Sequence, residues 1–559
     1  MNPTLISSPE PLIPGGLRII ALGGVSEIGR NMTVFEYLGK LLILDCGIRF
    51  PKQDEPGVDL ILPDLSYFET KLVDIEALVL THAHEDHIGA VPFLLKLRSD
   101  IPVVGSKFTI AIVRQRCRTH RIKPLCIEVA ERQSSKHGVF KCEYFAVNHS
   151  IPGCLAVAIH TGAGTVLHTG DIKLDQQPID GRPTDLPGMS RLGDAGVDLM
   201  LCDSTNSENL GVGSSESEIG PNLRRLMCSA EGRIIVACFA SNVDRVQQIV
   251  NTAILLGKKV SYLGRSMIKN MSIAKQLGYL KVDDKYIVDI NVAELMPLNK
   301  VVLITTGTQG EYMAALARMS RGEHRNISLK AGDLVILSSS LIPGNEEAVY
   351  KVIDALSKIG VKVITNNKAH VHTSGHAYAG EILFLYNGIR PHNVMPIHGN
   401  WRHLRANALL AEHAGIPKEN IFIAENGTSV DLIDGEVNIS GTLNIKKMYV
   451  NGLIAGDLNS ATLEKRKNLS SGFIIVTIIF CRNTRKLAFP VHLYSYGFSE
   501  DFKALKSISH YVKIELEDLS LDDSKDISKI TKVVNYTVEK WTEKIYHRQP
   551  VIVPTILEI

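Results

Sequence analysis

The sequence is constrained most by nine residues at positions 81–89, Thr-His-Ala-His-Glu-Asp-His-Ile-Gly. The apolar run 75–80 precedes them and predicts a buried strand. Residues 91–97 follow with apolar side chains at helical spacing, which predicts a helix. The histidine-rich run is therefore expected in a loop that leads from a strand into a helix.

Four side chains of this run have the chemistry of metal ligands. Alternate residues of an extended loop point the same way, so His82 and His84 can reach one cation. Asp86 and His87 lie a step further along and can face a second cation. Imidazoles with a carboxylate suit Zn²⁺ or Mn²⁺ better than Ca²⁺ or Mg²⁺, which prefer oxygen ligands. The alternative is a solvated loop that holds three histidines by chance.

Length and composition place the chain among multidomain globular proteins. At 559 residues it exceeds what one core supports, so about two to four domains are expected. Its apolar content of 45% and charged content of 21% are ordinary for such proteins. The formal net charge of +2 neither implies nor excludes a nucleic-acid partner, because a basic groove can exist within a nearly neutral protein.

Cysteine usage and hydropathy favour a cytoplasmic protein. The nine cysteines include no Cys-x-x-Cys pair, and most lie in apolar runs, as buried thiols do in a reducing compartment. The first twenty residues lack a basic-then-apolar signal pattern. No apolar stretch approaches the ~18 residues of a membrane span. We therefore expect a soluble cytoplasmic enzyme with no membrane partner.

Four further candidate residues stand just beyond apolar runs that predict strands. In open sheets, functional side chains collect beyond the carboxyl ends of strands, so these four are expected in one crevice. Asp45 likewise closes the run 40–45 and can hold a metal-binding histidine in one tautomer, or it can be a plain turn aspartate. The four residues and their runs are His149 after 144–147, Asp171 after 165–168, Asp203 after 197–201 and His398 after 393–397.

The middle of the chain, from about 211 to 367, alternates strand and helix patterns. Such alternation predicts a parallel, doubly wound sheet. Several strand-to-helix loops here are rich in glycine and hydroxyl groups, which can present backbone N–H groups to phosphate or simply cap the helices. The paired predictions are a strand at 233–239 with a helix from Asn242, 259–263 with Ser266, 301–305 with Tyr312, and 333–338 with Asn345.

The chain beyond about residue 450 carries no cluster of metal-binding side chains. It predicts a strand pair at 472–481 and 486–494, then an amphipathic helix at 526–546 and a final strand. This part is expected to be a small α+β accessory domain.

These residues resemble a known family. The His-x-His-x-Asp-His run, with His149, Asp171 and His398 at strand ends, resembles the metallo-β-lactamase fold. Asp203, His376 and His398 resemble motifs A, B and C of its nucleic-acid-cleaving branch, the β-CASP nucleases. Four short phrases resemble the bacterial ribonuclease J family in particular, and the resemblance covers roughly residues 15–445. The phrases are Phe-Ala-Ser-Asn at 239–242, Thr-Gln-Gly-Glu at 308–311, Ile-Pro-Gly-Asn-Glu at 342–346 and Ser-Gly-His-Ala at 374–377.

The resemblance implies a fold and a division into domains. The fold is α/β: a metallo-β-lactamase αββα sandwich interrupted by a doubly wound β-CASP domain, followed by a small α+β C-terminal domain. In this family the C-terminal domain assists oligomerisation and activity, which implies a homodimer or homotetramer. The implied boundaries are 1–210 for the first part of the metallo-β-lactamase domain, 211–365 for the β-CASP domain, 366–450 for the resumed domain and 451–559 for the linker and C-terminal domain.

Carried over to the matching positions, the resemblance implies two divalent metal ions per subunit. Zn²⁺ is expected first, with Mn²⁺ or Mg²⁺ as alternatives. An anion that offers two oxygens is what two adjacent cations need between them. One ion would be held by His82, His84 and His149 and the other by Asp86, His87 and His398, with Asp171 bridging.

The same resemblance assigns catalytic and substrate-binding roles. Asp86, Asp203 and His376 are implied to be catalytic. His376 would contact the scissile phosphate or protonate the leaving oxygen, and Asp203 would orient His376 or His398. Asp45 would support a metal-binding histidine from behind. A pocket for a 5′-terminal phosphate is implied between the domains, built by Ser241, Asn242 and Val243 with His372, Thr373, Ser374, Gly375 and His376.

The implied activity is that of a metal-dependent ribonuclease in RNA maturation and decay, including rRNA processing and mRNA decay. Its implied partner is single-stranded RNA with a 5′-monophosphate, trimmed in the 5′-to-3′ direction, with endonuclease activity alongside. Two adjacent cations lower the pKa of a shared water, so hydroxide attack on the phosphodiester is the implied mechanism.

Three alternatives stay open on the sequence. A DNA-directed β-CASP nuclease would use the same ligands, and a small-molecule hydrolase of the same fold is a second choice within catalysis. The long insertion disfavours small substrates, because it would cover the site with a wall suited to phosphate. The third alternative is a non-catalytic RNA-binding paralogue, which is disfavoured because all seven ligand positions and His376 are present.

Overall fold

The structure is a computed structural model, and it describes residues 8–52, 54–309, 311, 314–341, 345–452, 454–458, 460–481, 484, 486–499, 501–519 and 526–559. Two compact units share the chain. One comprises the chain up to Phe50 with Ile61–Met448, and the other comprises Pro51–Leu60 with Tyr449–Ile559. Five residues of the loops and phrases singled out above lie outside the described residues: Gly310, Tyr312, Ile342, Pro343 and Gly344.

Strands outnumber α-helices in the chain up to residue 210, and the most buried of them form where aliphatic side chains run continuously. All seven residues of the first strand are buried. Ser106 and Asp185 cap the two longest helices by accepting a backbone N–H with their side chains. The elements are β1 (Leu17–Gly23), β2 (Met32–Tyr37), β3 (Lys40–Leu44), β4 (Leu60–Leu62), β5 (Ile75–Val79), α1 (Glu85–Ile88), α2 (Val91–Leu97), β6 (Pro102–Gly105), α3 (Lys107–Thr119), β7 (Leu125–Glu128), β8 (Ser134–His137), β9 (Phe140–Ala146), β10 (Leu155–Thr161), β11 (Gly164–His168), α4 (Leu186–Ala195) and β12 (Leu199–Asp203).

The next segment confirms the predicted doubly wound sheet. Its five described strands are all parallel, in the order β14-β15-β13-β16-β17, and they enclose their own apolar core. Asn242 precedes a helix as predicted, and its side chain accepts from Arg245 N. The elements are α5 (Ile219–Cys228), β13 (Ile234–Ala237), α6 (Val243–Leu255), β14 (Lys259–Leu263), α7 (Arg265–Gln276), α8 (Ile290–Leu295), β15 (Val301–Thr305), α9 (Ala315–Ser320), β16 (Leu334–Leu337), α10 (Glu346–Ile359) and β17 (Lys362–Ile364).

The chain then returns to the first domain and completes both of its sheets. β18 pairs in parallel with β12, and β19 pairs antiparallel with β1. Among the described strands, one sheet has the order β20-β19-β1-β2-β3-β5-β6-β7 and the other β18-β12-β11-β10-β9-β8. Side chains from both sheets share one apolar core, so the first domain is a sandwich interrupted by the insertion. The returning elements are α11 (Ala379–Ile389), β18 (Asn393–Ile397), α12 (Trp401–His413), β19 (Thr428–Ile433) and β20 (Glu436–Thr442).

Strand direction brings the candidate residues to one edge of this sandwich. β9 and β11 are both antiparallel to β10, and β11, β12 and β18 are mutually parallel. These four strands therefore end at the same edge of their sheet. His149, Asp171 and His398 follow three of them, and Asp203 is the last residue of β12. The predicted shared crevice lies at this edge.

The second unit carries a separate core. In β23 every second residue is buried, and these side chains pack with those of the two long helices. The strand expected at 486–494 is interrupted. Ala488 N donates to Ile479 O at 2.8 Å, and the longer paired part is His492–Tyr496. Pro490, which has no N–H to donate, lies between the two parts. The helix and final strand are confirmed. The elements are β21 (Met448–Asn451), β22 (Ile454–Leu458), α13 (Ser460–Asn468), β23 (Phe473–Phe480), β24 (His492–Tyr496), α14 (Phe502–Glu517), α15 (Ile527–Tyr546) and β25 (Val551–Glu558).

Among the described helices, none combines the length and the apolar character that crossing a lipid bilayer requires.

Candidate metal centre

The histidine-rich run is extended in its first half and helical in its second. Residues 81–84 contain no helix, and His84 is the extended N-cap of α1. Asp86 and His87 therefore project from a helical turn, and the expectation of a loop extended throughout is wrong for this half. The helical turn still separates these two side chains from His82 and His84.

Close backbone contacts hold this turn in place. Asn31 N donates to Asp86 O at 2.8 Å, and Cys46 N donates to His87 O at 2.7 Å. A Cβ atom on Gly47 would lie 1.5 Å from Asp86 O, so only glycine permits the approach. The position of Asp86 and His87 on α1 is thus determined by Asn31, which precedes β2, and by Cys46 and Gly47, which follow β3.

Three imidazoles and one carboxylate converge in a first ligand group. His84 Nδ1 lies 3.0 Å from both His82 Nε2 and His149 Nε2. Asp171 Oδ2 lies 3.6 Å from His82 Nε2 and 3.5 Å from His149 Nε2. The ligand atoms of these four residues all lie within 4.8 Å of one another. This spacing allows one cation to contact all four.

A second ligand group lies on the other side of Asp171. Asp86 Oδ2 lies 3.6 Å from His87 Nε2 and 3.3 Å from His398 Nε2. Asp171 Oδ1 lies 3.3 Å from His87 Nε2 and 3.8 Å from His398 Nε2. Asp171 thus turns one oxygen toward each group, as a carboxylate shared by two cations would.

The residues of both groups fit divalent cations. Asp171 is 3% exposed, and among the described residues its Oδ1 has no hydrogen-bond donor in good geometry, although His87 Nε2 is near. A buried carboxylate oxygen without a partner is unfavourable. In the first group, His149 Nδ1 donates to Gly375 O at 2.7 Å, so a lone pair on its Nε2 faces His84. A cation would satisfy the converging lone pairs and the carboxylate oxygen together.

Asp45 lies directly behind two of the ligand histidines. Its Oδ2 accepts from His87 Nδ1 at 2.7 Å and from Thr81 Oγ1 at 2.8 Å. Thr81 Oγ1 in turn lies 3.0 Å from His82 Nδ1. Because Thr81 gives its single proton to the carboxylate, its oxygen is left to accept from His82. Asp45 therefore orients one ligand directly and another through a hydroxyl.

Asp203 serves two histidines of the segment that follows the insertion. Its Oδ2 accepts from His376 Nδ1 at 2.7 Å, and its Oδ1 accepts from Thr205 Oγ1 at 2.8 Å. Thr205 Oγ1 lies 2.6 Å from His398 Nδ1. His376 Nε2 lies 3.9 Å from Asp171 Oδ2, and its side chain is 18% exposed. His376 therefore stands beside the ligands on a side that solvent reaches.

Two of these hydroxyls were missing from the residues that the sequence predicted. Thr81 begins the histidine-rich run, and Thr205 lies two residues after Asp203. A threonine has no metal-ligand pattern of its own, so the available signal was its position beside a ligand or an aspartate.

The two ligand groups differ in how their surroundings shift the histidine pKa values. Burial lowers the pKa of His84 to about 4 and that of His149 to about 3. Burial also acts on His398, but Asp171, Asp203 and Asp86 outweigh it and raise its pKa to about 10. Imidazoles of the first group are thus neutral, whereas a cation binding at His398 must replace a proton.

The residues predicted to bind a 5′-phosphate are divided by the structure. Ser241 Oγ lies 3.1 Å from His84 Nε2, at the first ligand group. A Cβ atom on Gly375 would lie 2.7 Å from His149 Nδ1, so glycine is required there as well. Val243 and His372 are 1% and 7% exposed. These two can offer backbone groups to a ligand more readily than side chains.

A cavity of about 30 Å³ adjoins the first ligand group at His149. Asn242, Thr373, Ser374 and Gly375 line it, whereas the other predicted phosphate-binding residues are not among its lining residues. The same wall carries both signs of charge. Its charged side chains are Lys173, Arg182, Asp175, Asp180, Glu216 and Asp244.

Two buried cations, Arg245 of the insertion and Lys173 of the first domain, bind the segment that leads to His376. Arg245 is completely buried, pairs with Glu216 at 2.6 Å and donates to Val371 O at 2.9 Å. Lys173 donates to Ser374 O at 3.0 Å. Each cation therefore holds one end of the stretch 371–374. Sequence patterns gave no sign of either contact, since the partners lie far apart in the chain.

Four family profiles match successive parts of the chain. They confirm the predicted fold class, a metallo-β-lactamase domain with a β-CASP insertion and a C-terminal domain. The matches are "Beta-lactamase superfamily domain" at residues 43–203, "Ribonuclease J, beta-CASP domain" at 231–356, "Zn-dependent metallo-hydrolase RNA specificity domain" at 360–424 and "Ribonuclease J C-terminal domain" at 461–559.

Several curated proteins share most of this sequence. The chain is 70% identical over 554 residues to "Ribonuclease J" of Mycolicibacterium smegmatis, covering 99% of each. It is 65% identical over 551 residues to "Ribonuclease J" of Mycobacterium tuberculosis, again covering 99% of each. The protein of the same name from Corynebacterium glutamicum is 51% identical over 98% of this chain and 77% of its own length.

A solved structure supports the fold alone. A protein of unknown function from Enterococcus faecalis covers 75% of this chain and 100% of its own, with a TM-score of 0.54 and 16% identity.

Proposed function

This chain belongs to the ribonuclease J family and is a metal-dependent ribonuclease, and we propose that it trims single-stranded RNA with a 5′-monophosphate from the 5′ end. We further propose that it cuts RNA internally and that it serves rRNA processing and mRNA decay. The observation that carries the proposal is the position of Asp171, with one oxygen toward each ligand group and His376 beside both.

The proposed metal ligands are the seven side chains of the two groups. Zn²⁺ is the first choice because imidazole nitrogens predominate among the ligand atoms, with Mn²⁺ or Mg²⁺ as alternatives. Divalent cations bound there would supply Lewis acidity, which lowers the pKa of water and offsets the charge of the phosphodiester. One ion would contact His82, His84 and His149, the other Asp86, His87 and His398, and Asp171 would contact both.

His376 is proposed to act on the scissile phosphate. Burial tends to lower its pKa, but Asp203 and Asp171 outweigh burial and raise it, which favours the protonated ring. With Nδ1 donating to Asp203, the proton on Nε2 is free to contact a phosphate oxygen. The same proton can pass to the 3′ oxygen that leaves when the phosphorus–oxygen bond breaks.

Recognition of the 5′ end is proposed for the cavity beside His149. Asn242 and the stretch 373–375 line it, and the neighbouring Ser241 contacts His84 of the first ligand group. Lys173 and Arg182 can attract one phosphate, while the carboxylates on the same wall disfavour the extra charge of a triphosphate. A phosphate site at a fixed distance from the ligands would release one nucleotide in each cycle.

Single strands are the proposed substrate because a groove between two domains can hold splayed bases by stacking and by backbone contacts.

The remaining proposals concern the organisation of the whole chain. We keep the domain boundaries 1–210, 211–365, 366–450 and 451–559 and a cytoplasmic location as proposals. A homodimer or homotetramer is supported by the open face of the three-stranded sheet β24-β23-β25 in the second unit. On this face Tyr494 and Tyr496 are 55% and 63% exposed.

The proposal is tested with one RNA sequence labelled along its whole length and prepared with a 5′-monophosphate, a 5′-triphosphate or a 5′-hydroxyl group. We expect mononucleotide release that is fastest from the monophosphate, in the presence of Zn²⁺ or Mn²⁺. Equal rates for all three ends would contradict the proposed 5′-phosphate pocket. Faster cleavage of matched single-stranded DNA would favour a DNA-directed nuclease. Absence of cleavage with every tested metal would contradict ribonuclease activity itself.

A further inference from the structure

We propose that Thr205 is a positioning residue that holds the proton on His398 Nδ1, so that a cation replaces the proton on Nε2. Thr205 follows β12, two residues beyond Asp203, and belongs to neither ligand group. The inference rests on the proposed role of His398 as a metal ligand and extends it to a hydroxyl behind the ring.

The single hydroxyl proton of Thr205 determines which nitrogen of His398 keeps its proton when a cation binds. Thr205 Oγ1 lies 2.6 Å from His398 Nδ1, 2.8 Å from Asp203 Oδ1 and 3.0 Å from His398 O. Carboxylate and carbonyl oxygens can only accept, so the hydroxyl must give its single proton to one of them. Its lone pair is then left for the proton on His398 Nδ1. The opposite nitrogen, Nε2, is thereby directed at Asp86 Oδ2, 3.3 Å away.

The backbone of His398 shows why its ring needs this support. The residue has a φ of 52°, a left-handed conformation that a side chain with a Cβ atom rarely adopts. Its N–H donates to Gly24 O at 2.8 Å, and its carbonyl is within reach of Thr205. One threonine hydroxyl therefore contacts both the carbonyl and the ring of the same strained residue.

The first half of the site contains the same arrangement. Asp45 binds His87 directly and reaches His82 through the hydroxyl of Thr81. Asp203 binds His376 directly and reaches His398 through Thr205. Two aspartates, each with one direct and one hydroxyl-mediated histidine, indicate that the hydroxyls have a specific role in the ligand cluster.

If the hydroxyl of Thr205 were removed, Asp203 could not take its place without giving up contacts that it already makes. Its Oδ1 is 3.7 Å from His398 Nδ1 and already accepts from Thr205 N at 2.9 Å. Its Oδ2 is engaged with His376. Without the hydroxyl, His398 Nδ1 stays unpaired or turns toward Asp203 and away from Asp86. Loss of such a supporting contact weakens metal binding by about 10–100-fold.

The test measures metal binding, which does not require RNA. Metal-stripped wild-type protein and the variants Thr205→Val, Thr205→Ala and Thr205→Ser are titrated with Zn²⁺ and with Mn²⁺ by calorimetry, and ions per subunit are counted. We expect Thr205→Val and Thr205→Ala to weaken one of two binding events by about 10–100-fold. Thr205→Ser keeps the hydroxyl and is expected to bind both ions as the wild type does.

Thr81→Val provides the matched comparison. It removes the hydroxyl that contacts His82 of the first ligand group and is expected to weaken the other binding event. The double variant Thr81→Val with Thr205→Val should then bind both ions more weakly. If Thr205→Val is unfolded by circular dichroism, the comparison of Thr205→Ala with Thr205→Ser decides.

Several results would overturn the proposal. Wild-type affinity for both ions without the hydroxyl would do so, and so would an equal loss in Thr205→Ser. A wild type that binds fewer than two ions would contradict the ligand assignment and the inference with it. Failure to cleave RNA would affect the proposed function alone, since metal binding is measured separately.

Discussion

In the ligand cluster, His82, His87 and Asp171 are at most 3% exposed, and the outer nitrogens of His82 and His87 each have a defined acceptor. In the adjoining cavity, opposite charges share one wall, and burial with the charges of Asp180 and Glu216 raises the pKa of Asp244 to about 7. The cluster is therefore a rigid site whose geometry is set by its own hydrogen bonds. The cavity is a region whose electrostatics can adjust to pH and to a ligand.

This difference matches the proposed division of the crevice into a site of chemistry and a site of substrate recognition. A change in the cluster should abolish metal binding or turnover, because buried charges there have no alternative partners. A change in the cavity should alter the choice of substrate or the stability by a smaller amount. Four substitutions test this distinction: two in the cluster, one at its border with the cavity and one in the cavity.

The largest effect is expected for Asp171→Ala. The variant removes the oxygen atoms that face both ligand groups, so metal content should fall below one ion per subunit and activity by at least about 10³-fold. Elemental analysis and RNA cleavage measure the two effects. Asp194→Ala, at a side chain that is 66% exposed, is the matched control and should change neither. Two retained ions in Asp171→Ala would contradict its shared position.

The next largest effect is expected for His376→Ala. It removes a proton donor beside the ligands and leaves all seven ligand side chains in place, so turnover should fall by about 10²–10³-fold with metal content unchanged. RNA binding, measured by fluorescence anisotropy, should stay near the wild-type value. His392→Ala removes a histidine that is 64% exposed and serves as the control. Unaltered turnover would exclude His376 from the mechanism.

A smaller effect is expected for Ser241→Ala, at the border of cluster and cavity. Loss of one hydroxyl should reduce the preference for 5′-monophosphate over 5′-hydroxyl RNA by about three- to tenfold, as removal of one hydrogen bond does. The ratio of kcat/KM for the two RNAs measures it, with Ser357→Ala on an exposed helical face as control. A change in metal content instead would assign Ser241 to the cluster.

The smallest effect is expected for Asp244→Asn, and it depends on pH. Burial, with the charges of Asp180 and Glu216, raises the pKa of Asp244 to about 7. Because the folded protein holds this proton more tightly than the unfolded chain, wild-type stability falls as pH rises from about 4 to about 7. Asparagine cannot ionise, so the variant should be more stable by about 1–2 kcal/mol at pH 8. Thermal unfolding at pH 8 and pH 5 would show a gain that is larger at the higher pH.

Local patterns located the strands that carry the site, although not every bound. β18 was predicted at its observed bounds, as were β14 and β15 of the insertion, whereas the strand predicted at 197–201 is found at Leu199–Asp203. The candidate residues after strands were also found together, since parallel strands end at one edge of a sheet. The helical turn α1 was missed because four residues are too few for a helical period to show.

Contacts between distant segments could not be predicted in the same way. Thr205 acts on a histidine 193 positions later, and Lys173 acts on Ser374 201 positions later. The carboxylates on the charged wall of the cavity likewise come from three parts of the chain. No periodicity or spacing in the sequence encodes which of many hydroxyl and charged groups will meet in the folded protein.

The sequence by itself determined the ligand chemistry, the order of the domains and the strand ends from which the ligands project, because residue types and hydrophobic periods are local properties. Only the tertiary structure decided that Asp171 turns one oxygen to each group, that Thr81 and Thr205 contact the outer nitrogens of His82 and His398, and that the residues proposed to bind phosphate divide between cluster and cavity. These features depend on distances of 2.6–3.8 Å between segments far apart in the chain, and such distances are set by the packing of both sheets and the insertion.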